Sequence, residues 1–176
     1  MLEQQDSANA IMNTGDILLS AKAKYKQGDY QGAIAEYTLA IQFSPNIALA
    51  FSCRGDAYYK LGQEEPAMAD YNHAVEINPT LAIAYYRRGN LHYSAKKYDL
   101  AVAEYNLAIE RKPDFAIAYV NRGCANRELY GDREGVSDWQ LAAKLFEAQG
   151  NLAQHQYVMD LIDLNTSIDT LSGMLF

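Results

Sequence analysis

Between Ala33 and Ile41 the apolar residues fall at Ala33, Ile34, Tyr37, Ala40 and Ile41, the i, i+3, i+4, i+7 spacing that lays one stripe along an α-helix. Upstream, Ile17, Leu18, Ala21 and Tyr25 draw another stripe, and Lys26-Gln27-Gly28-Asp29-Tyr30 between the two reads as a tight turn. Ser44-Pro45 ends the pair, because proline restricts the residue before it and donates no hydrogen bond. The pattern then recurs every 34 residues. Proline falls at Pro45, Pro79 and Pro113, glycine at Gly55, Gly89 and Gly123, arginine at Arg54, Arg88 and Arg122, and a large aromatic at Tyr37, Tyr71, Tyr105 and Trp139. Four columns with one period predict an all-α chain of stacked helical pairs.

The units differ in detail. Pro66 falls in the first turn of a helix, where its missing N–H costs little. Gly55, Gly89 and Gly123 sit inside helices, where glycine costs about 1 kcal/mol relative to alanine. Their recurrence predicts close backbone contact with Ala67, Ala101 and Gly135 of the partner helix. Residues 1–13 are weakly periodic and read as an N-terminal extension of the first helix. Gly150-Asn151 reads as a helix stop followed by a new cap. Leu152, Tyr157, Val158, Leu161 and Ile162 then predict an amphipathic capping helix to about Leu164, followed by an apolar tail with Ile168, Leu171, Met174, Leu175 and Phe176.

The helix-one aromatic (Phe51, Tyr85, Tyr119), the glycine after it, the turn glycines Gly28 and Gly62, the alanine and aromatic of the second helix, and the terminal proline together resemble the tetratricopeptide repeat family. The match spans about Thr14 to Gln149. It implies a right-handed α-solenoid of four helix pairs, 14–47, 48–81, 82–115 and 116–149, with 150–176 as capping helix and tail. Arginine stands where the family usually has leucine before the helix glycine. The last unit has an altered turn, Leu129-Tyr130-Gly131-Asp132, and lacks the proline, as expected of a terminal repeat. The repeated Arg-Gly pairs and the Leu145 to Asn151 ending resemble bacterial, particularly cyanobacterial, members, a resemblance that implies room for a role in assembling photosynthetic or envelope complexes.

Composition narrows the function. The 176 residues carry a formal charge of -7, with 21% charged and 49% hydrophobic residues, which argues against a phosphate-tracking surface and hence against nucleic acid. The acidic start, Met1 to Asp6, precedes no apolar run, so neither a signal core nor a membrane span is expected and a cytoplasmic location is. Cys53 and Cys124 lie two repeats apart and read as small packed thiols. His73, His92 and His155 fall on different helices without metal-type spacing, and His73 shares its column with Leu39, Leu107 and Leu141, which predicts a packing role. No phosphate loop or nucleophile elbow appears, so no cofactor and no enzyme activity are expected.

Arg54, Arg88 and Arg122 face an acidic column, Glu36, Asp70, Glu104 and Asp138, and are predicted to form ion pairs with it. On the opposite face of each first helix, which the family fold turns into a concave groove, stand Ile83, Tyr86, Arg87, Asn90 and Tyr93. Corresponding columns place Lys22, Tyr25 and Lys26 in the first unit, Asp56, Tyr59 and Lys60 in the second, and Asn121 and Arg127 in the fourth. Cations outnumber carboxylates there, which predicts a peptide ligand combining acidic groups with apolar or aromatic anchors. Arg87, read as exposed and central, is expected to lose about 2–4 kcal/mol of affinity on Arg87→Glu with an unchanged thermal midpoint. Arg122→Glu is expected to lower stability instead. Family members that clamp a C-terminal carboxylate use lysine, asparagine and arginine; here Arg87 matches, Lys22 sits one turn along, and the asparagine position is Cys53. The expected function is a non-enzymatic adaptor or assembly scaffold, with self-association or a permanent complex as the alternative, and the tail as a candidate occupant of the groove.

Overall fold

The structure, a computed structural model, describes the backbone of residues 2–172 and the side chains of residues 14–131 and 133–165. Among the described residues, every regular element is helical: α1 (Leu2–Lys26), α2 (Tyr30–Phe43), α3 (Ala48–Lys60), α4 (Glu64–Ile77), α5 (Ala82–Ser94), α6 (Tyr98–Arg111), α7 (Ala116–Tyr130), a 3-10 turn (Asp132–Gly135), α8 (Val136–Ala148) and α9 (Leu152–Ser172). The chain divides into two compact units within α5, one ending at Arg87 and one beginning at Arg88.

In the first unit α1 packs on α2, α2 on α3 and α3 on α4. Its core joins Ala21, Ala33, Tyr37 and Ala57, with Leu18, Tyr25, Ile34 and Cys53 against them. In the second unit α6 packs on α7, α7 on α8 and α8 on α9, around Trp139, Phe146, Val158 and Ile162. Alanine at 0% exposure recurs in both, because helix axes 8–10 Å apart leave room for little more than a methyl group at the contact. Asp29 caps α2, accepting a hydrogen bond from the Gly32 N–H at 2.9 Å.

The helix glycines are required by aromatic rings more than by the small residues opposite. A Cβ at Gly55 would lie 2.6 Å from Tyr71 Cε1, and one at Gly89 2.6 Å from Tyr105 Cε1. At Gly123 it would meet Trp139 Nε1 at 2.6 Å and the Gly135 carbonyl at 2.8 Å. The two repeating columns, glycine and large aromatic, are one packing device seen from its two sides. The turn glycines Gly28 and Gly62 adopt φ of +83° and +72°, and the same turn in the next repeat places Lys96 at φ 58°.

The last helix runs past Leu164 to Ser172, longer than the sequence reading. Neither glycine nor proline interrupts it, and Asn165 is buried with its Nδ2 donating to the Leu161 carbonyl at 3.0 Å, which continues the helix instead of capping it. The side chains of the Ile168 to Phe176 tail, and with them the question of groove occupancy, lie outside the described residues. His73 has the packing role that its column predicts, at the surface. Its side chain is 58% exposed, tilted against Phe51 at 5.5 Å and beside Glu76 at 3.3 Å, because its column lies at the helix surface and not in the core.

Candidate functional site

The arginine column pairs as its spacing predicts. Arg54 donates from Nε and Nη2 to Asp70 at 2.8 and 2.7 Å, and from Nη1 to Thr38 at 3.0 Å. Arg122 grips Asp138 in the same fork at 2.8 and 2.6 Å and reaches Asn106 at 2.7 Å, while Arg88 meets Glu104 at 2.8 Å. The Arg54 and Arg122 forks hold a planar guanidinium against a buried carboxylate, Arg88 contacts a half-buried one from Nη2, and all three belong to the scaffold. In the first repeat the column residue is Ser20, and Glu36 pairs with Lys24 at 2.6 Å; hydrogen bonds from Lys24 and Ser20 hold the Glu36 carboxyl below its ordinary range.

On the other face of the first helices, a pair of columns stitches neighbouring repeats. Arg87 of α5 is bound to Asp56 of α3 at 2.5 Å and donates from Nη1 to the buried Ser52 hydroxyl at 2.6 Å. Tyr71 of α4 donates to the same carboxylate at 3.0 Å. Burial pushes the Asp56 carboxyl above the usual carboxylate range, against the opposing pull of Arg87 and Tyr71. In the second unit, 34 residues on, the Asn121 amide donates to Asn90 Oδ1 at 2.8 Å and Tyr105 donates to it at 2.9 Å. The same three columns, tyrosine, acceptor and donor, close both seams.

The first repeat breaks the series. There the acceptor column holds Lys22 and the donor column Cys53, a cation opposite a thiol, which cannot form an equivalent bridge. A concave pocket of about 510 Å³ opens where the seam is not closed. Leu18, Leu19, Leu49, Ala50 and Cys53 give it apolar walls, with Tyr37, Asp56 and Arg87 also lining it. Gly15, Lys22, Tyr25 and Lys26 complete the lining. Burial raises the Tyr25 hydroxyl above its ordinary pKa, so it is neutral near pH 7 and available as a donor. Leu19 and Leu49 remain 68% and 53% exposed, large apolar side chains left without cover.

Lys22, Tyr25, Lys26, Asp56 and Arg87 are thus brought together, whereas Tyr59, Lys60, Ile83 and Tyr86 do not line this pocket. Asn90, Tyr93, Asn121 and Arg127 belong to the other unit and are engaged there. Tyr93 meets Tyr98 edge to face at 5.3 Å, and Arg127 pairs with Glu128 at 2.9 Å with its guanidinium 5.9 Å from the Trp139 ring. The reading of Arg87 as an exposed, free cation is corrected: its side chain is 18% exposed and bound to Asp56. Arg127 is likewise paired. Lys22 and Lys26 make no ion pair among the described residues, and they carry the positive character that the composition of the groove suggested. The role of Tyr71 and Tyr105 was missed, although their fixed distance of 15 residues after Asp56 and Asn90 was visible in the register.

Comparison with known proteins agrees with this architecture. A family model described as TPR repeat matches residues 21–62 and 55–95, and one described as tetratricopeptide repeat matches residues 82–115. The first TPR of Spaghetti (RPAP3), solved bound to the HSP90 peptide SRMEEVD, is 27% identical with a TM-score of 0.63, covering 66% of this chain and 92% of that one. The Sgt2 TPR domain from Aspergillus fumigatus (24% identity, TM-score 0.64, 66% of this chain and 79% of that chain) and the MamA protein (18%, 0.64, 88% and 92%) share the fold. No curated protein matches the chain. With helix pairs of one period, glycine seated on aromatic in each, and family models spanning residues 21–115, the chain belongs to the tetratricopeptide repeat family.

Proposed function

We propose that this protein, built of four 34-residue repeats (14–47, 48–81, 82–115 and 116–149), is a non-enzymatic interaction scaffold, an adaptor or assembly factor that holds a peptide segment of a partner in a concave groove. The observation that carries this reading is the unclosed first seam, an apolar pocket beside two lysines that make no ion pair among the described residues, in a fold whose related RPAP3 domain was solved with a peptide bound. An acidic peptide with apolar or aromatic anchors is the matching ligand, since opposite charges accelerate encounter while buried apolar side chains supply affinity. A cytoplasmic setting suits such a role.

The test is a pulldown from the native lysate with wild type and Lys22→Glu/Lys26→Glu as baits. Loss of the same partners from the double variant supports the reading; equal retention by both baits contradicts it. Self-association is the second reading, favoured by Tyr157 and Leu164, which α9 leaves 60% and 61% exposed. Light scattering separates the two, because an obligate assembly would leave no monomer.

A further inference from the structure

The two closed seams show what the open one lacks. Asp56 receives Arg87 and Tyr71, and Asn90 receives Asn121 and Tyr105. Lys22 stands in the acceptor column but is itself a donor, and the Cys53 thiol opposite is too weak an acceptor to satisfy an ammonium group. The missing element is therefore an oxygen acceptor placed between α1 and α3. Lys26 lies one helical turn further along the same pocket, so a carboxylate held by Lys22 is within reach of a second cation. Beside it, Leu18, Leu49, Ala50 and Cys53 form an apolar wall of the same pocket, against which an apolar side chain of a ligand can pack.

Resting on the interaction-scaffold reading above, we infer that the pocket between α1 and α3 is an anchor site for an internal peptide segment, taking one apolar side chain against Leu18, Leu49 and Cys53 and an adjacent aspartate or glutamate on Lys22 and Lys26. The ligand's carboxylate closes the seam that the chain leaves open. Arg87 does not receive it, because its guanidinium is already committed to Asp56 and Ser52. A free C-terminal carboxylate is consequently not required. Exposed lysines contribute little apiece, so affinity comes from the apolar side chain while the lysines select its neighbour.

The experiment uses the full chain against random 12-residue peptides displayed on phage in two formats, one fused to the coat protein through the peptide C-terminus and one with that terminus free. Peptides enriched in the first format should pair an apolar residue with Asp or Glu within a few positions. Amidated synthetic copies should bind Lys22→Glu/Lys26→Glu about tenfold or more weakly than wild type. They should also bind Leu49→Lys more weakly; a purely electrostatic site would instead gain from that added cation. Circular dichroism melts of both variants, whose altered residues are exposed, control for folding. Enrichment only with a free C-terminus, or unchanged binding by both variants, would overturn the anchor site while leaving the scaffold reading intact. Failure of wild type to enrich any peptide in either format would overturn both.

Discussion

In the unit ending at Arg87, the acceptor and donor columns between repeats hold Asp56 and Arg87, an ion pair with both side chains about one-fifth exposed. In the unit beginning at Arg88 the same columns hold Asn90 and Asn121, a neutral amide pair at 2.8 Å. A tyrosine from the second helix completes each, Tyr71 in one and Tyr105 in the other. The backbone therefore sets a geometric requirement, one acceptor facing two donors, and is indifferent to whether charge satisfies it. The charged version costs desolvation, visible in the raised Asp56 pKa. The first seam, with Lys22 and Cys53, meets the requirement in neither way, and it is there that the pocket opens.

Five variants would break or sharpen this comparison. The largest effect is expected outside the seams, at the arginine fork that both units share. Arg122→Glu would face the buried Asp138 with a second carboxylate and should lower unfolding free energy by about 4 kcal/mol, read by urea denaturation. A loss below about 1 kcal/mol would show that the fork contributes little to the scaffold.

Next come the seams themselves. Asp56→Ala leaves Arg87 half-buried without its carboxylate and should cost about 3 kcal/mol, whereas Asn90→Ala removes neutral hydrogen bonds and should cost about 1 kcal/mol. Equal losses in paired denaturation curves would mean that charge does not distinguish the two seams.

A gain is expected at the turn that separates the units in another respect. Gly28 and Gly62 supply the left-handed conformation in the first unit, and Lys96 supplies it at φ 58° in the second. Lys96→Gly should relieve the contact between Cβ and the following carbonyl and raise stability by about 0.5–1 kcal/mol, checked by thermal melting.

The smallest change should follow from the full exchange, Asp56→Asn with Arg87→Asn, which installs the second unit's pair in the first and should leave stability within about 1 kcal/mol of wild type. What it should alter is pH dependence. Asp56 has a higher pKa folded than unfolded, so between the two values the native state holds the extra proton. Its contribution is greatest below the ordinary carboxylate range and declines as pH rises through the raised value. The stability of wild type minus that of the exchanged pair should fall across that window. A difference that grew with pH would reverse the assignment.

The sequence alone determined the architecture, since period, helix stripes, terminal prolines and turn glycines are local or register-fixed properties. It also determined the scaffold ion pairs, because Arg54 and Asp70, or Arg122 and Asp138, keep a constant separation of 16 residues that the repeat must convert into one distance. Which groove residues are free was not legible. Arg87, Asn90, Asn121 and Arg127 have the composition of a ligand surface, and whether each reaches solvent or a neighbour depends on which side chain the adjacent helix presents. That is settled by contacts between helices, with Asp56 of α3 reaching Arg87 of α5 and the Trp139 ring of α8 lying 5.9 Å from the Arg127 guanidinium, while Lys22 stands in register with a thiol. Periodicity places residues on faces; only packing decides which of them satisfy one another and which remain for a partner.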